Sequence, residues 1–147
     1  MKVYLASRYS RFPEMQHYAA QLAALGHTVT SRWILGDHDI IRAHRQSEAP
    51  HYLPLWAKED WEDLLAAETV VSFTETPEQS PGRNRGGRHA EFGIALALGK
   101  RCCVVGPREH VFHWMPQVEQ YDTWDGAFIR ALEQGKQLEK GQDHGSV

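Results

Sequence analysis

The sequence predicts an α/β domain in which helices cover both faces of a mainly parallel β-sheet. Two observations predict this class: short runs rich in β-branched residues alternate with stretches of helical periodicity, and Gly26 and Gly99 end two of the helical stretches. Parallel neighbouring strands need crossover connections, which the helices supply. A chain of 147 residues with 41% hydrophobic residues has the size of one globular domain, so we expect a single core.

The first half of the chain predicts two strands, a helix and a long loop. Residues 2–6 are predicted as the first strand, and apolar side chains at helical spacing predict a helix over residues 12–25. Residues 28–34 are rich in β-branched and aromatic side chains and predict a second strand. Residues 36–54 are polar, rich in histidine and without period. Because loops longer than about 12–15 residues are more often binding loops than spacers, we interpret this loop as a substrate cover.

The second half continues the alternation of helices and strands. In chain order we predict a helix at residues 54–67, a strand at 70–74, a loop at 75–88, a helix at 89–98, strands at 102–105 and 119–124, and a helix at 124–133. Residues 1–134 then form the domain, and residues 135–147 form a flexible tail. Parallel sheets of this class place their ligands at the carboxyl ends of the strands, so we expect the functional site there.

The composition predicts a cytoplasmic protein that binds neither nucleic acid nor a membrane. The formal net charge is -3, and the basic residues are dispersed except for Arg83, Arg85 and Arg88, whereas a nucleic-acid scaffold is usually more basic. No apolar stretch approaches the roughly 18 residues that a membrane span needs. Cys102 and Cys103 are neighbours and cannot close a loop by a disulfide, which fits a reducing compartment.

Glu91 is the most informative residue, because its helical neighbours at plus three, plus four and plus seven are all apolar. This spacing predicts a carboxylate on a buried helix face. In the first turn it would feel the positive end of the helix dipole, which favours an ionised nucleophile, while burial acts in the opposite direction. Gly86 and Gly87 let the backbone approach a ligand just before the helix. The alternative is a glutamate that only caps backbone N–H groups.

Asp60 shows a similar anomaly on the preceding helix. Its neighbours at minus four and plus four are Trp56 and Leu64, so it lies on an apolar stripe. Glycosyl chemistry commonly uses one carboxylate as nucleophile and another as proton donor, with environments that separate their pKa values. The alternative is an ion pair within the helix layer, for which Lys58 or Arg101 would be the partner.

Other polar groups give weaker signals. The three arginines of the 75–88 loop would suit a phosphate, for which arginine offers planar bidentate contacts, or form a solvated face. His110 and His113 have the spacing of helical metal ligands, but no third ligand stands near them in the sequence, so we expect neither a metal nor a cofactor. The glycines of residues 82–87 match neither a dinucleotide-binding nor a P-loop fingerprint.

The chain resembles the nucleoside 2-deoxyribosyltransferase family and its nucleotide-hydrolysing relatives from Met1 to about Leu132. The most specific segment is GGRHAEFGIALALGKRCCVV, which is similar to the family's nucleophile segment. The resemblance implies a single flavodoxin-like (Rossmann-like) domain with five strands. It also implies that Glu91 is the nucleophile that attacks the anomeric carbon and forms a glycosyl-enzyme intermediate.

The resemblance assigns roles to further residues. The segment EDWEDLLAAETVVSF places Asp60 where the family has an aspartate that protonates the leaving base. Tyr4, in KVYLAS, matches the tyrosine that positions the nucleophile, and Tyr9 follows in the loop that helps to form the base pocket. His110 lies where transferases place an asparagine that reaches the sugar of a neighbouring subunit, although the residue type differs.

The sequence departs from the family pattern six residues before the nucleophile. Transferases that act on nucleosides tend to have aspartate there, nucleotide hydrolases tend to have serine, and this chain has Arg85. Ser7, Arg8 and Ser80 would suit a phosphate or be ordinary loop residues. The substrate therefore stays open between a nucleoside and a nucleotide.

The resemblance thus implies transfer of 2-deoxyribose between a nucleoside and a free nucleobase, without a cofactor. It also implies a homo-oligomer in which subunits share active sites, and Phe112 and Trp114 are candidates for that interface. The two alternatives are a 2-deoxynucleoside 5′-monophosphate N-hydrolase and a nucleotide-binding module without turnover. Two buried acids beside a neutral sugar argue against the binding module.

Overall fold

The protein is a five-stranded, all-parallel sheet surrounded by helices, as a computed structural model that describes residues 1–36, 49–79 and 86–144 shows. The strands are β1 (Lys2–Ala6), β2 (Thr28–Val29), β3 (Thr69–Phe73), β4 (Arg101–Val105) and β5 (Glu119–Tyr121). Their order across the sheet is β2-β1-β3-β4-β5, and every neighbouring pair is parallel. This is the flavodoxin-like order, so the predicted α/β class and the fifth strand are confirmed.

Helices connect the strands on both sides of the sheet. They are α1 (Phe12–Ala24), α2 (Ala49–Ala66), α3 (Gly87–Ala97) and α4 (Arg130–His144), with a π-helical segment at Trp124–Ile129 and 3-10 segments at Tyr9–Arg11, Arg32–Leu35 and Val111–Trp114. Crossovers of this kind are right-handed. Because the chain moves outward from β1 to β2 and then back across β1 to β3, right-handed crossovers place α1 on one face and α2 and α3 on the other.

The core lies on both faces of the central strands. Residues 3–6 of β1 are fully buried, and all five residues of β3 are buried. Strands that are buried on both faces have continuous apolar runs, which explains why these segments do not alternate. The π-helical segment packs on the α1 face, where the ring of Trp124 stacks on Tyr18 at 4.3 Å and its indole N–H donates to Gln21.

The second strand is shorter than predicted. Residues 28–34 were expected to be extended, but β2 ends at Val29 and the chain turns into the 3-10 segment Arg32–Leu35. Two side chains replace the strand: Ser31 Oγ accepts the amide N–H of Leu5, and the Trp33 indole N–H donates to the Leu5 carbonyl at 2.8 Å. These contacts satisfy the edge of β1 and bury the indole at the same time.

The helix predicted at residues 54–67 begins earlier, at Ala49. Pro54 lies in the second turn of this helix instead of at its start. Because proline has no N–H, it removes one backbone hydrogen bond near the N-terminal end of the helix. The last helix continues past its predicted end at Glu133 to His144, and Lys136 Nζ donates to the carbonyl of Leu25. A glycine inside a helix costs only about 1 kcal/mol, so Gly135 does not stop it.

Some predictions lie outside what the structure tests. Residues 37–48 of the proposed substrate cover and residues 80–85 are outside the described part of the chain. The division into a domain of residues 1–134 and a flexible tail stays a prediction. No helix in the described ranges combines the length and the apolar character that a membrane crossing requires.

Candidate active site

The candidate site lies where the strand order reverses, between β1 and β3. The chain leaves β1 for β2 on one side and reaches β3 on the other, so the loops after these strands diverge. Such a crevice at the carboxyl ends of parallel strands is the usual ligand site of this fold. It brings a tyrosine of β1 together with carboxylates of α2 and α3.

Tyr4 and Glu91 are joined directly. The hydroxyl of Tyr4 donates to Glu91 Oε1 at 3.0 Å, and Tyr4 is fully buried in β1. Gly86 has a φ of 72°, in the left-handed region, and turns the chain into the helix that carries Glu91. Burial and, next, the negative charge of Asp60 raise the pKa of Glu91 to about 8, against the hydrogen bond from Tyr4, which lowers it.

Asp60 completes the group. Burial, followed by the charges of Asp63 and Glu59, raises its pKa to about 6. Its charge acts on both Glu91 and Tyr4, which places the three side chains in one electrostatic environment. Burial and these carboxylates raise the pKa of Tyr4, so its hydroxyl stays a donor.

The ion pair that was the alternative for Asp60 does not form. Lys58 lies 3.8 Å from Glu62, and Arg101 is bound to Glu119 through its Nε at 2.6 Å. The nearby cation that acts on Asp60 is Arg32, but its guanidinium donates to Asp63 at 2.8 Å. Asp60 thus has no compensating ion pair among the described residues.

These pKa values leave one proton on the pair near neutral pH. Between about pH 6 and pH 8 the pair carries one proton, which Glu91 retains more strongly because burial raises its pKa further than that of Asp60. A pair of carboxyl groups with one proton can supply a nucleophile and an acid in the same step. The arrangement therefore suits displacement at an acetal-like carbon with a basic leaving group.

The residues predicted for the loop after β1 pack around the crevice. Arg8 donates through Nε to Glu75 at 3.2 Å and through its terminal nitrogen to the Gln79 carbonyl at 2.9 Å. Ser7 Oγ donates to the carbonyl of Arg8, and the ring of Tyr9 lies 6.1 Å from that of Trp33. Glu75 is buried, and its carboxylate compensates the positive charge of Arg8, which was expected to bind a phosphate.

The start of α3 holds another paired cation. Gly87 is the first residue of the helix, and the guanidinium of Arg88 forms two hydrogen bonds with the carboxylate of Glu109, one of them at 3.0 Å. Arg88 is buried, so it is not part of a solvated face, and its charge is paired with Glu109 instead of being left for a phosphate. Arg83, Arg85 and Ser80 lie outside the described residues.

In the structure His110 is not isolated, contrary to what the sequence suggested. Its ring lies 3.7 Å from that of His113 and 4.8 Å from that of His89 on α3, between centroids. Burial lowers the pKa of His113 to about 4 and also lowers that of His89. No third histidine stands near His110 and His113 in the sequence, but α3 brings His89 to them in space.

Several residues of this edge were missed by sequence reasoning. Glu75 and Glu109 each follow the end of a strand by two to four residues and bind the arginines described above. Their position just past buried strands was the signal that would have found them. Asp63 is also buried, and it accepts from the amide and the guanidinium of Arg32 at 2.8 Å each.

Comparison with known proteins finds similarity at the level of the fold. No protein-family model and no curated protein matches the sequence. Among solved structures, the chain is similar to a 2-deoxyribosyltransferase from the psychrotolerant bacterium Bacillus psychrosaccharolyticus, with 19% identity and a TM-score of 0.59 over 86% of this chain and 89% of that one. The chain therefore shares its flavodoxin-like fold with a 2-deoxyribosyltransferase, of the same family that its sequence motifs resemble.

Proposed function

We propose that the chain is a nucleoside 2-deoxyribosyltransferase-like enzyme that cleaves the N-glycosidic bond of a 2-deoxynucleoside and transfers the sugar to another base. The observation that carries the proposal is the pair of partly buried carboxyl groups, Glu91 and Asp60, which share one electrostatic environment and have no compensating cation bound to them among the described residues. The fold shared with a 2-deoxyribosyltransferase supports it.

The chemistry has two displacement steps. In the first, the Glu91 carboxylate forms a bond to the anomeric carbon while the bond from that carbon to the base nitrogen breaks, and Asp60 gives its proton to the leaving base. In the second, an incoming base attacks the same carbon, its proton passes to the Asp60 carboxylate, and Glu91 leaves as a carboxylate. Atoms and charge balance over the cycle, and no cofactor is required.

Tyr4 is assigned the role of a positioning residue. Its hydroxyl donates to Glu91 Oε1 at 3.0 Å, so it fixes one oxygen and leaves the other for the sugar. The hydrogen bond also favours the ionised carboxylate, because it lowers the pKa of Glu91.

Substrate binding has to move the proton of the pair. Glu91 has the higher pKa, about 8 against about 6 for Asp60, whereas the proposed roles need an ionised Glu91 and a protonated Asp60. The positive charge that develops on the sugar carbon favours the ionised form of the carboxylate nearest to it. The productive arrangement has the same number of protons as the resting one, so only their position changes.

The remaining predicted residues are proposed as substrate contacts. Tyr9 contributes to the base pocket, and Ser7 and Arg8 line the approach to the sugar, with the backbone of Gly87 near the ligand. Arg85, which lies outside the described residues, stays a predicted substrate contact. His110 is proposed to reach the sugar of a neighbouring subunit, because the 3-10 segment that follows it exposes Phe112 and Trp114 at 58% and 67%. A homo-oligomer with shared sites and a cytoplasmic location stay proposals.

The test is a chromatographic assay of 2-deoxynucleosides, each incubated with and without a second free base. A new nucleoside that appears only with added base is the expected result. Intact-protein mass spectrometry with a 2-fluorinated 2-deoxynucleoside is expected to trap the glycosyl group on Glu91. Silence with every nucleoside and nucleotide would overturn the proposal and favour a binding module.

The second candidate is a 2-deoxynucleoside 5′-monophosphate N-hydrolase. The observation that favours it is Arg8, whose side chain pairs with Glu75 but remains about one-third exposed at the carboxyl end of β1, where a 5′-phosphate would lie. The same assay separates the two, because base release from the monophosphate without an acceptor base would identify the hydrolase.

A further inference from the structure

Three histidines from two separate elements meet beside the first turn of α3. His89 belongs to α3. His113 belongs to the 3-10 segment Val111–Trp114, and His110 is the residue just before that segment. One ring nitrogen from each lies within 4.8 Å of the other two. We propose that His89, His110 and His113 form a binding site for a divalent transition metal of the zinc class.

One nitrogen of each of the three rings lacks a hydrogen-bond partner in the part of the chain that the structure describes. Nδ1 of His89, Nδ1 of His110 and Nε2 of His113 are all buried without a hydrogen-bond partner among the described residues. Buried polar atoms are normally satisfied, so three such nitrogens side by side point to a shared ligand. Because imidazole is a good ligand for zinc, copper and nickel, a metal ion would satisfy all three at once.

The spacing is slightly wider than a bound ion requires. Three nitrogens at about 2.1 Å from a tetrahedral zinc lie about 3.4 Å from one another. The rings of His110 and His113 are tilted by only 31°, so they have to turn apart to face one ion. Side-chain rotation supplies a movement of this size, and a fourth position stays open for water.

Glu109 supports two of the three rings. Its carboxylate lies 3.4 Å from Nε2 of His89, and its amide N–H donates to Nδ1 of His113 at 3.0 Å. A carboxylate on the far nitrogen of a histidine is the usual way to orient a metal ligand, since it leaves the other nitrogen unprotonated. Arg88 holds this carboxylate in turn.

His113 is the ligand whose bonding has to change. Its Nδ1 accepts the amide N–H of Glu109, which places the proton of the neutral ring on Nε2. Metal binding therefore displaces either that hydrogen bond or that proton. We expect His113 to contribute less to the affinity than His89 and His110, and the test accordingly relies on those two.

The proposed site goes beyond the glycosyl chemistry and does not depend on it. It shares His110 with the proposed contact to the sugar of a neighbouring subunit, so its test measures metal affinity and not turnover. A metal ion at this site would link the first turn of α3 to the segment after β4. These two segments are not adjacent along the chain. His89 is two residues from Glu91, but its ring faces His110, whereas Glu91 faces Tyr4. The metal is thus assigned to fixing the helix start, not to the reacting sugar.

The experiment uses the full chain after treatment with a chelator and dialysis. Calorimetric titration with Zn²⁺ is expected to show one saturable site per chain, and Co²⁺ is expected to give the visible absorption of a tetrahedral site. Both His89→Ala and His110→Ala should lower the affinity by more than about 100-fold, and Glu109→Gln by about 10-fold. His17→Ala is the matched control, because His17 is an exposed histidine on α1, and it should bind as the wild type does.

Two results would overturn the site. One is the absence of saturable one-to-one binding in the wild-type protein, which would leave the three rings as ordinary packing. The other is equal binding by His89→Ala, His110→Ala and His17→Ala, which would assign the metal to other histidines. Circular dichroism of each chelated variant separates loss of the site from loss of the fold.

Discussion

Two sets of partly buried acids at the same edge of the sheet differ in what surrounds them. Glu109 binds the guanidinium of Arg88, and although burial alone would raise its pKa, the hydrogen bond and charge of Arg88 lower it. Glu91 and Asp60 have no such cation among the described residues. Burial and then the charge of Asp60 raise the pKa of Glu91 to about 8, and burial and then the charges of Asp63 and Glu59 raise the pKa of Asp60 to about 6. The comparison teaches that a buried acid with a bound arginine serves structure, whereas one left without it is available for chemistry.

The largest effect that tests this comparison is on turnover. Glu91→Gln removes the proposed nucleophile while keeping size and hydrogen bonding, so we expect base release to fall by on the order of 10⁴-fold or more. Glu133→Gln makes the same chemical change on the exposed surface of α4 and should leave turnover unchanged. Near-normal activity in Glu91→Gln, measured by chromatography, would remove Glu91 from the chemistry.

The same substitution should stabilise the fold, which distinguishes lost chemistry from lost structure. A glutamate with a folded pKa of about 8 is protonated in the native state while the unfolded chain ionises above its usual value of 4.5. Stability contributed by this group is present at low pH and falls as the pH rises from 4.5 towards 8. The melting temperature of Glu91→Gln relative to that of the wild type should therefore rise between pH 5 and pH 8. A melting temperature below that of the wild type at pH 8 would contradict the raised pKa.

The paired acids should show their effect in stability instead. Glu109→Gln leaves the buried guanidinium of Arg88 without its counter-charge, and breaking a buried pair costs about 3 kcal/mol of unfolding free energy. Glu119→Gln is the matched control, because its pair with Arg101 is exposed at about two-fifths on each side, and such pairs contribute less than about 1 kcal/mol. Chemical denaturation of chelated samples compares the two, and equal losses would mean that burial does not distinguish the pairs.

Sequence patterns predicted the sheet and both acids of the candidate site for the same reason. Periodicity fixes which face of an element is buried, so Glu91 and Asp60 stood out as charges on apolar stripes. The pattern fails at helix ends: Leu98 was placed on the buried face, but α3 ends at Ala97 and Leu98 is 54% exposed.

Contacts between distant segments could not be predicted in this way. The pair between Arg88 and Glu109 and the approach of His89 to His110 depend on how α3 packs against the segment after β4. No pattern within a single segment of the sequence specifies how close two distant segments will lie. The 3-10 turn at Trp33 has the same origin, because it follows from a hydrogen bond to Leu5 on a strand formed 28 residues earlier.

The reactive pair should also set the pH dependence. Below about pH 6 both acids are protonated and the nucleophile is lost, and above about pH 8 both are ionised and the donor is lost. We expect kcat/KM to peak between these values and to fall about tenfold per pH unit outside them. A profile that stays flat from pH 5 to pH 9 would show that the pair does not control the reaction.

The smallest expected effect belongs to Tyr4, which acts through Glu91 and not on the sugar. Tyr4→Phe removes one hydrogen bond to a charged group, so we expect kcat to fall about tenfold. Because that hydrogen bond lowers the pKa of Glu91, its loss should move the alkaline limb of the pH profile upward. Tyr121→Phe is the matched control, since its hydroxyl donates to Glu119, away from the crevice. A drop in kcat with an unmoved limb would show that Tyr4 only supports packing, whereas a moved limb ties the hydroxyl to the ionisation of Glu91.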